Sequence, residues 1–380
     1  MEVRHQTPAP LRKKRLTVAA ITIGLIVSFT LLNGPASGAG KAPPLSPEAR
    51  LVAIRRAQVW TPTNVPMMDI KQGPPGPGAF APNETVTCDY VEKKMSGASP
   101  KFTCRFGKGD EAKIKYGKAN GEVYGEVAAT RLFWALGFGA DREYPVRVVC
   151  RGCPSDPARN SKPASGEVTF DPAALEREDG GQKLEDRPDS GWAFPELELV
   201  EETAGGAPRA HRDALKLLAV MIQHTDSKAQ QQRLMCLPEE VVGEDGEPCL
   251  HPFMMISDLG LTFGHANVWN RASVGSVNFE QWSRAKIWED SKACIGDITR
   301  SQTGTLDHPR ISEAGRKFLA DLLVQLTDTQ LHDLFEVARF PERIGGGRPA
   351  TSDEWVSAFK RKRDEIVNRT CPPEPANKAS

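Results

Sequence analysis

The sequence has no excess of either charge: Lys and Arg together number 49, as do Asp and Glu, for a formal net charge of +0. No global field therefore draws the chain to nucleic acid or to an anionic membrane surface, which leaves only local patches for electrostatic work. It has no internal repeat. Beside Cys150-Arg-Gly-Cys153 there is no second CxxC and no suitably placed His pair, so a zinc site lacks its other half. Uncharged apolar stretches are short, and the run Leu16 to Leu32 falls below the roughly 20 residues that a spanning helix prefers.

That run is nevertheless informative, because Arg12, Lys13, Lys14 and Arg15 precede it and Ala36-Ser37-Gly38 follow as small residues suited to cleavage. Residues 1–15 read as a cytoplasmic basic tail and 16–32 as a signal anchor or signal peptide. Under either reading, everything after about residue 40 is extracytoplasmic, in a bacterial periplasm or a secretory lumen. Eight cysteines, an even number, suit an oxidising compartment and favour disulfides. Their connectivity stays open, although nearest-neighbour pairing would close mostly short loops. Asn83-Glu-Thr85 and Asn368-Arg-Thr370 are glycosylation sequons, meaningful in a eukaryotic source.

The length of 380 residues allows two lobes or two small domains. Residues 33–80, rich in Pro, Gly and Ala, predict a tether. Val86 to Glu92, Lys101 to Phe106 and Ala112 to Tyr116 predict an antiparallel meander. A helix over Gly121 to Leu136 follows, stopped by Gly137, then a strand Tyr144 to Val149. Residues 154–190 read as a polar surface insertion and Phe194 to Val200 as strand-like. Helices are predicted over Arg209 to Gln223, Ser312 to Leu326, Asp328 to Ala338 and Ser352 to Asn368, the last with Thr351 and Glu354 as a capping box. Residues 372–380 read as a disordered tail.

Phosphoryl transfer asks for a cation on the donor phosphates, a carboxylate at the acceptor hydroxyl and a second carboxylate holding metal. The chain offers these in order. Ala112-Lys-Ile-Lys115 ends a strand on a lysine, and the next helix carries Glu126, with Glu122 as the less favoured alternative, to hold it. His224-Thr-Asp226-Ser-Lys228-Ala-Gln-Gln231 follows the Arg209 helix, and the apolar Phe253 to Ile256 delivers Ser257-Asp258-Leu-Gly260. Taken one at a time, these residues also suit a solvated strand lysine, a helix-start carboxylate, a helix-end cap and a strand-end turn.

The ordered set resembles the atypical members of the protein-kinase-like superfamily: HipA-type kinases, phosphatidylinositol kinases and the secretory-pathway casein-type kinases. The resemblance rests on four short motifs across residues 83–371. It implies an α+β, two-lobed protein-kinase-like fold, with residues 81–201 as an N-lobe of antiparallel strands plus one helix and 202–371 as a mostly helical C-lobe. Lys115 would bind the phosphates of ATP or another nucleoside triphosphate and Glu126 would position it. Asp226 and Lys228 would act at the acceptor, and Asp258 and Gln231 would hold Mg²⁺ or Mn²⁺. Gln231 departs from the pattern, since the metal-binding position should be Asn, and only Ser96-Gly-Ala-Ser-Pro100 suggests a phosphate-covering loop.

The function so implied is an extracytoplasmic kinase acting on a protein, glycan or lipid hydroxyl, associated with the membrane through its N-terminal segment and without nucleic-acid partners. The alternative is a catalytically inactive kinase-like binding module at the membrane surface. A redox role for Cys150 and Cys153 is a third possibility, disfavoured because no helix N-terminus follows directly to depress a thiol pKa.

Overall fold

A computed structural model describes residues 45–178, 180–185, 190–238, 249–265 and 276–373. The basic tail, the run 16–32, part of the predicted tether and most of the C-terminal tail lie outside them. No helix among the described residues is long and apolar enough to cross a membrane.

The fold mixes α and β elements. It begins with a helix, α1 (Pro47–Arg56), started by Ser46 as N-cap and Pro47 at the first turn. Strands β1 (Glu84–Val91), β2 (Lys101–Gly107) and β3 (Asp110–Tyr116) form the expected meander, with β1–β2 and β2–β3 antiparallel. Helix α2 (Glu122–Leu136) follows and ends at Gly137, whose φ of 86° suits glycine. A Cβ at Gly137 would also lie 2.1 Å from the Thr61 carbonyl. Strands β4 (Arg142–Arg151) and β5 (Glu167–Arg177) complete a closed barrel in the order β1-β2-β3-β5-β4. The barrel therefore departs from the expected two-lobed description and is not wholly antiparallel, because β1 and β4 pair in parallel to close it. Closure removes the exposed edges that an open sheet would leave.

Strand β5 overturns the expected surface insertion. Its buried residues are Phe170 and Pro172 to Glu176, two of them alanines of low β-propensity, so the sequence signal is faint and pairing on both sides supplies the strand. A second correction concerns the tether. From about residue 45 onward the segment packs on the fold: Ala53, Ile54, Ala57, Val59, Val65 and Ile70 are at most 1 % exposed. Trp60 Nε1 donates to the Leu136 carbonyl at 2.7 Å, and Gln330 Nε2 donates to the carbonyls of Val65 and Met68 at 2.8 Å each. Buried Arg131 donates to the Ile70, Gln72 and Glu143 carbonyls, binding this strap to α2 and β4.

Beyond the barrel, β6 (Gln182–Lys183) joins a small antiparallel sheet. Phe194–Leu199 is a 3-10 helix rather than a strand, since Pro195 occupies its first turn and Glu196 accepts from the Ala193 N–H at 2.8 Å. Helix α3 (Arg209–Met221) ends before Gln223, whose φ is 55°. Strands β7 (Gln232–Cys236) and β8 (Phe253–Ile256) pair antiparallel. The rest comprises α4 (Phe279–Arg284), a two-strand pairing of β9 (Trp288–Asp290) with β10 (Ile295–Gly296), α5 (Glu313–Leu323), α6 (Asp328–Val337) and α7 (Ser352–Val367). The Thr351/Glu354 capping box is formed.

The cysteines pair as nearest neighbours: Cys88–Cys104, Cys150–Cys153, Cys236–Cys249 and Cys294–Cys371. The first two lie in the barrel core, and the third links β7 to the chain leading into β8. One apolar core runs through α1, α2 and the helical half, and a second fills the barrel.

Candidate functional site

Strand alternation sends Lys101, Lys113 and Lys115 to one face of the barrel, where α2 and the turn after β8 cover them. Lys115 is fully buried. Its ammonium contacts Glu126 directly, lies 3.2 Å from Glu122 Oε2 and 3.7 Å from Asp258 Oδ1. Both glutamates lie on α2 four residues apart, hence on one helical face, so the less favoured Glu122 joins Glu126 at the lysine. Glycines permit the close approach of helix and turn. A Cβ at Gly260 would lie 2.7 Å from Glu122 Cγ, and one at Gly125 would lie 3.0 Å from the Gly260 carbonyl.

Burial works against every charge in this cluster, and the outcome differs by residue. For Lys115, desolvation is outweighed by Asp258, Glu126 and Glu122, so its pKa rises well above the usual lysine value and it stays an ammonium. Asp258 also meets a desolvation penalty, but Lys115, Lys113 and the Gly260 N–H at 3.1 Å hold its carboxyl far below the usual range. For Glu126 burial wins over Lys115, and its pKa is pushed up to about 8. Glu143 of β4 and Glu176 of β5 complete a buried carboxyl trio with Glu126. Among the described residues neither Glu143 oxygen has a hydrogen-bond partner, and burial, then Glu126 and Glu176, raise its pKa strongly.

The second half of the site follows α3. Asp226 Oδ2 accepts from Lys228 Nζ at 2.7 Å and from Gln231 Nε2 at 3.1 Å. The Gln231 carbonyl accepts from the Ser257 N–H at 2.7 Å, the Ser257 hydroxyl at 2.9 Å and the Asp258 N–H at 3.3 Å. One residue therefore fastens the Asp226 loop to the Asp258 turn. Ser227 is buried and its hydroxyl accepts from the Thr305 and Leu306 N–H groups, holding the loop from behind.

Lys115, Glu126 and Asp258 thus meet in one cluster, and Asp226, Lys228 and Gln231 form a second, joined to it through Gln231. The sequence reading missed Lys101, Lys113, Glu143 and Glu176. Alternation along β2 and β3 could have placed the two lysines beside Lys115, whereas the glutamates lie in strands whose pairing no local signal reveals. Cys150 and Cys153 are at most 1 % exposed and joined to each other, out of reach of an external dithiol.

A divalent cation fits the ionised, half-buried Asp258, a hard oxygen ligand that shares Lys115 with the Glu122 carboxyl. Gln231 fits less well, since its amide nitrogen is engaged by Asp226 and only its amide oxygen remains to offer.

No family model matches the chain, and no curated protein does. Among solved structures, the crystal structure of a Helicobacter pylori proinflammatory kinase, CtkA, is similar with a TM-score of 0.39 and 10% identity, covering 76% of this chain and 95% of that one.

Proposed function

We propose that the chain is a kinase-like phosphotransferase of an extracytoplasmic compartment, moving a phosphate from a nucleoside triphosphate to a hydroxyl on a protein, glycan or lipid. One observation carries the reading: a fully buried strand lysine shared by two helix carboxylates and the turn carboxylate Asp258, with Asp226 one residue's contacts away. Buried, strongly perturbed charge clusters gather at functional sites. The chain mixes α and β elements as the reading requires, although its closed five-strand barrel departs from the two-lobed kinase description. Four disulfides suit the compartment.

In this reading Lys115 binds donor phosphates and Glu126 and Glu122 hold it in place. Asp258 holds Mg²⁺ or Mn²⁺, which supplies charge neutralisation on the transferring group. Asp226 accepts a hydrogen bond from the acceptor hydroxyl and takes its proton as the new phosphate ester forms and the nucleoside diphosphate leaves, while Lys228 holds that carboxylate in place.

A second reading, a silent kinase-like binding module, is favoured by Gln231, whose side chain turns toward Asp226. The test is a thermal shift of the whole oxidised chain with Mn²⁺ or Mg²⁺ and ATP, compared with Asp258→Ala, alongside phosphate transfer compared with Asp226→Ala. A metal-dependent shift lost in Asp258→Ala, with transfer lost in Asp226→Ala, is the expected result. A shift without any transfer supports the silent module. No shift, or transfer at full rate in Asp226→Ala, sinks the assignment.

A further inference from the structure

Of the three lysines on the cleft face, Lys113 pairs with Glu176, and Lys115 with Glu126, Glu122 and Asp258. Lys101 is different. It stands directly opposite Lys115 in the β2–β3 register, and among the described residues its ammonium makes no hydrogen bond or ion pair. It is more than half withdrawn from water, and burial together with repulsion from Lys115 lowers its pKa. Like charges directly opposite one another on antiparallel strands are destabilising, and attraction from Glu122 and Asp258 offsets the cost of this pairing only in part.

The loop above gives the cost a purpose. Gly97 has a φ of 85°, and a Cβ there would lie 2.8 Å from Lys101 Nζ, so the loop passes directly beside that ammonium. The far end of the loop is fastened: the Ser99 hydroxyl donates to Glu122 Oε2 at 2.7 Å, and Asn120 Nδ2 donates to the Pro100 carbonyl at 3.2 Å. Through Ser99 the loop is tied to the same glutamate that touches Lys115.

We propose that Lys101 and Lys115 form a two-lysine subsite for the terminal phosphates of the donor, beside the Gly97 loop. This deepens the phosphotransfer reading and rests on it. An anion between the two ammoniums replaces their repulsion with two charge-assisted hydrogen bonds, and any polyphosphate, nucleoside-bound or inorganic, offers the oxygens.

The test measures dissociation constants by titration calorimetry for the whole chain with Mn²⁺ and ATP, Mn²⁺ and inorganic tripolyphosphate, and adenosine alone. Wild type is compared with Lys101→Met, Lys101→Arg and Lys115→Met. Lys101→Met should weaken both triphosphates about tenfold, leave adenosine unchanged, and leave the ligand-free Tm equal or higher. Lys101→Arg, which keeps the charge, should stay within about threefold of wild type. Unchanged tripolyphosphate affinity in Lys101→Met, where Lys115→Met abolishes binding, overturns the subsite and leaves the donor reading standing. A lowered ligand-free Tm with unaltered affinity also overturns it, making Lys101 a structural residue. If wild type binds neither triphosphate, the phosphotransfer reading fails and the subsite falls with it. ATP weakened with tripolyphosphate unaffected overturns a phosphate subsite in favour of a contact to the nucleoside.

Discussion

The Lys115 ammonium lies 3.7 Å from Asp258 Oδ1, so a strand lysine and a turn carboxylate far apart in the chain share one charge cluster. Replacing the two should have different consequences. Lys115→Met leaves Glu122, Glu126 and Asp258 facing one another without their cation, and should destabilise the fold by about 3–5 kcal/mol in urea titrations. Asp258, the least buried carboxylate of the three around Lys115, leaves Lys115 two other partners when changed to Asn. That variant should lose only about 1–2 kcal/mol while losing the metal-dependent thermal shift altogether. Equal destabilisation by both would mean that Asp258 is a structural counter-ion.

His224 sets an acid limit on stability. It is 1 % exposed, its ring nitrogens have no hydrogen-bond partner among the described residues, and burial lowers its pKa to about 4 against the opposing pull of Asp226 and Asp258. The unfolded chain binds this proton near its ordinary value of about 6.5 and the folded chain refuses it, so protons favour unfolding. The contribution is complete above about pH 6.5 and is lost as pH falls toward 4, with a slope of up to about 1.4 kcal/mol per pH unit. His224→Leu should flatten that part of the pH–stability curve; a wild-type slope in the variant would show that other groups cause it.

The disulfides should rank by loop length. Cys294–Cys371 closes a separation of 77 residues, whereas Cys150–Cys153 closes 3. Loop-closure entropy assigns the first about 4 kcal/mol and the second less than about 2. Paired Cys→Ala variants compared by urea midpoint should keep that order. Its reversal would show that packing of the Cys150–Cys153 turn in the barrel outweighs chain entropy.

Local signals placed most of the helices and the first three strands. Gly137 stops α2, Thr351 and Glu354 cap α7, and the site motifs fell on the elements expected for them. Non-local pairing was invisible. Strand β5 carries Ala173 and Ala174 where a strand signal would need branched residues, and it exists because β3 and β4 flank it. The burial of Glu143 and Glu176 follows from that pairing alone. Lys101 was readable in principle, since it shares its strand face with Lys115 through the register, but only the hairpin register places the two side by side.

Composition also misled at residues 45–80, and the error yields the last prediction. Pro and Gly density suggested a solvated tether, yet Ile54, Val59, Val65 and Ile70 are buried in the main core, and Gly73 packs where a Cβ would meet the Arg131 guanidinium at 2.7 Å. Each such aliphatic side chain contributes about 1.5–3 kcal/mol of burial, so four of them rival the net stability of a whole domain. The strap also supplies acceptors for buried Arg131 and Gln330, which would be left unpaired without it. A chain starting at residue 81 should therefore aggregate or unfold, whereas one starting at residue 45 should melt cooperatively within a few degrees of the full chain. Measured side by side by circular dichroism, cooperative melting of the shorter chain at the full-chain temperature would return the segment to the status of a tether.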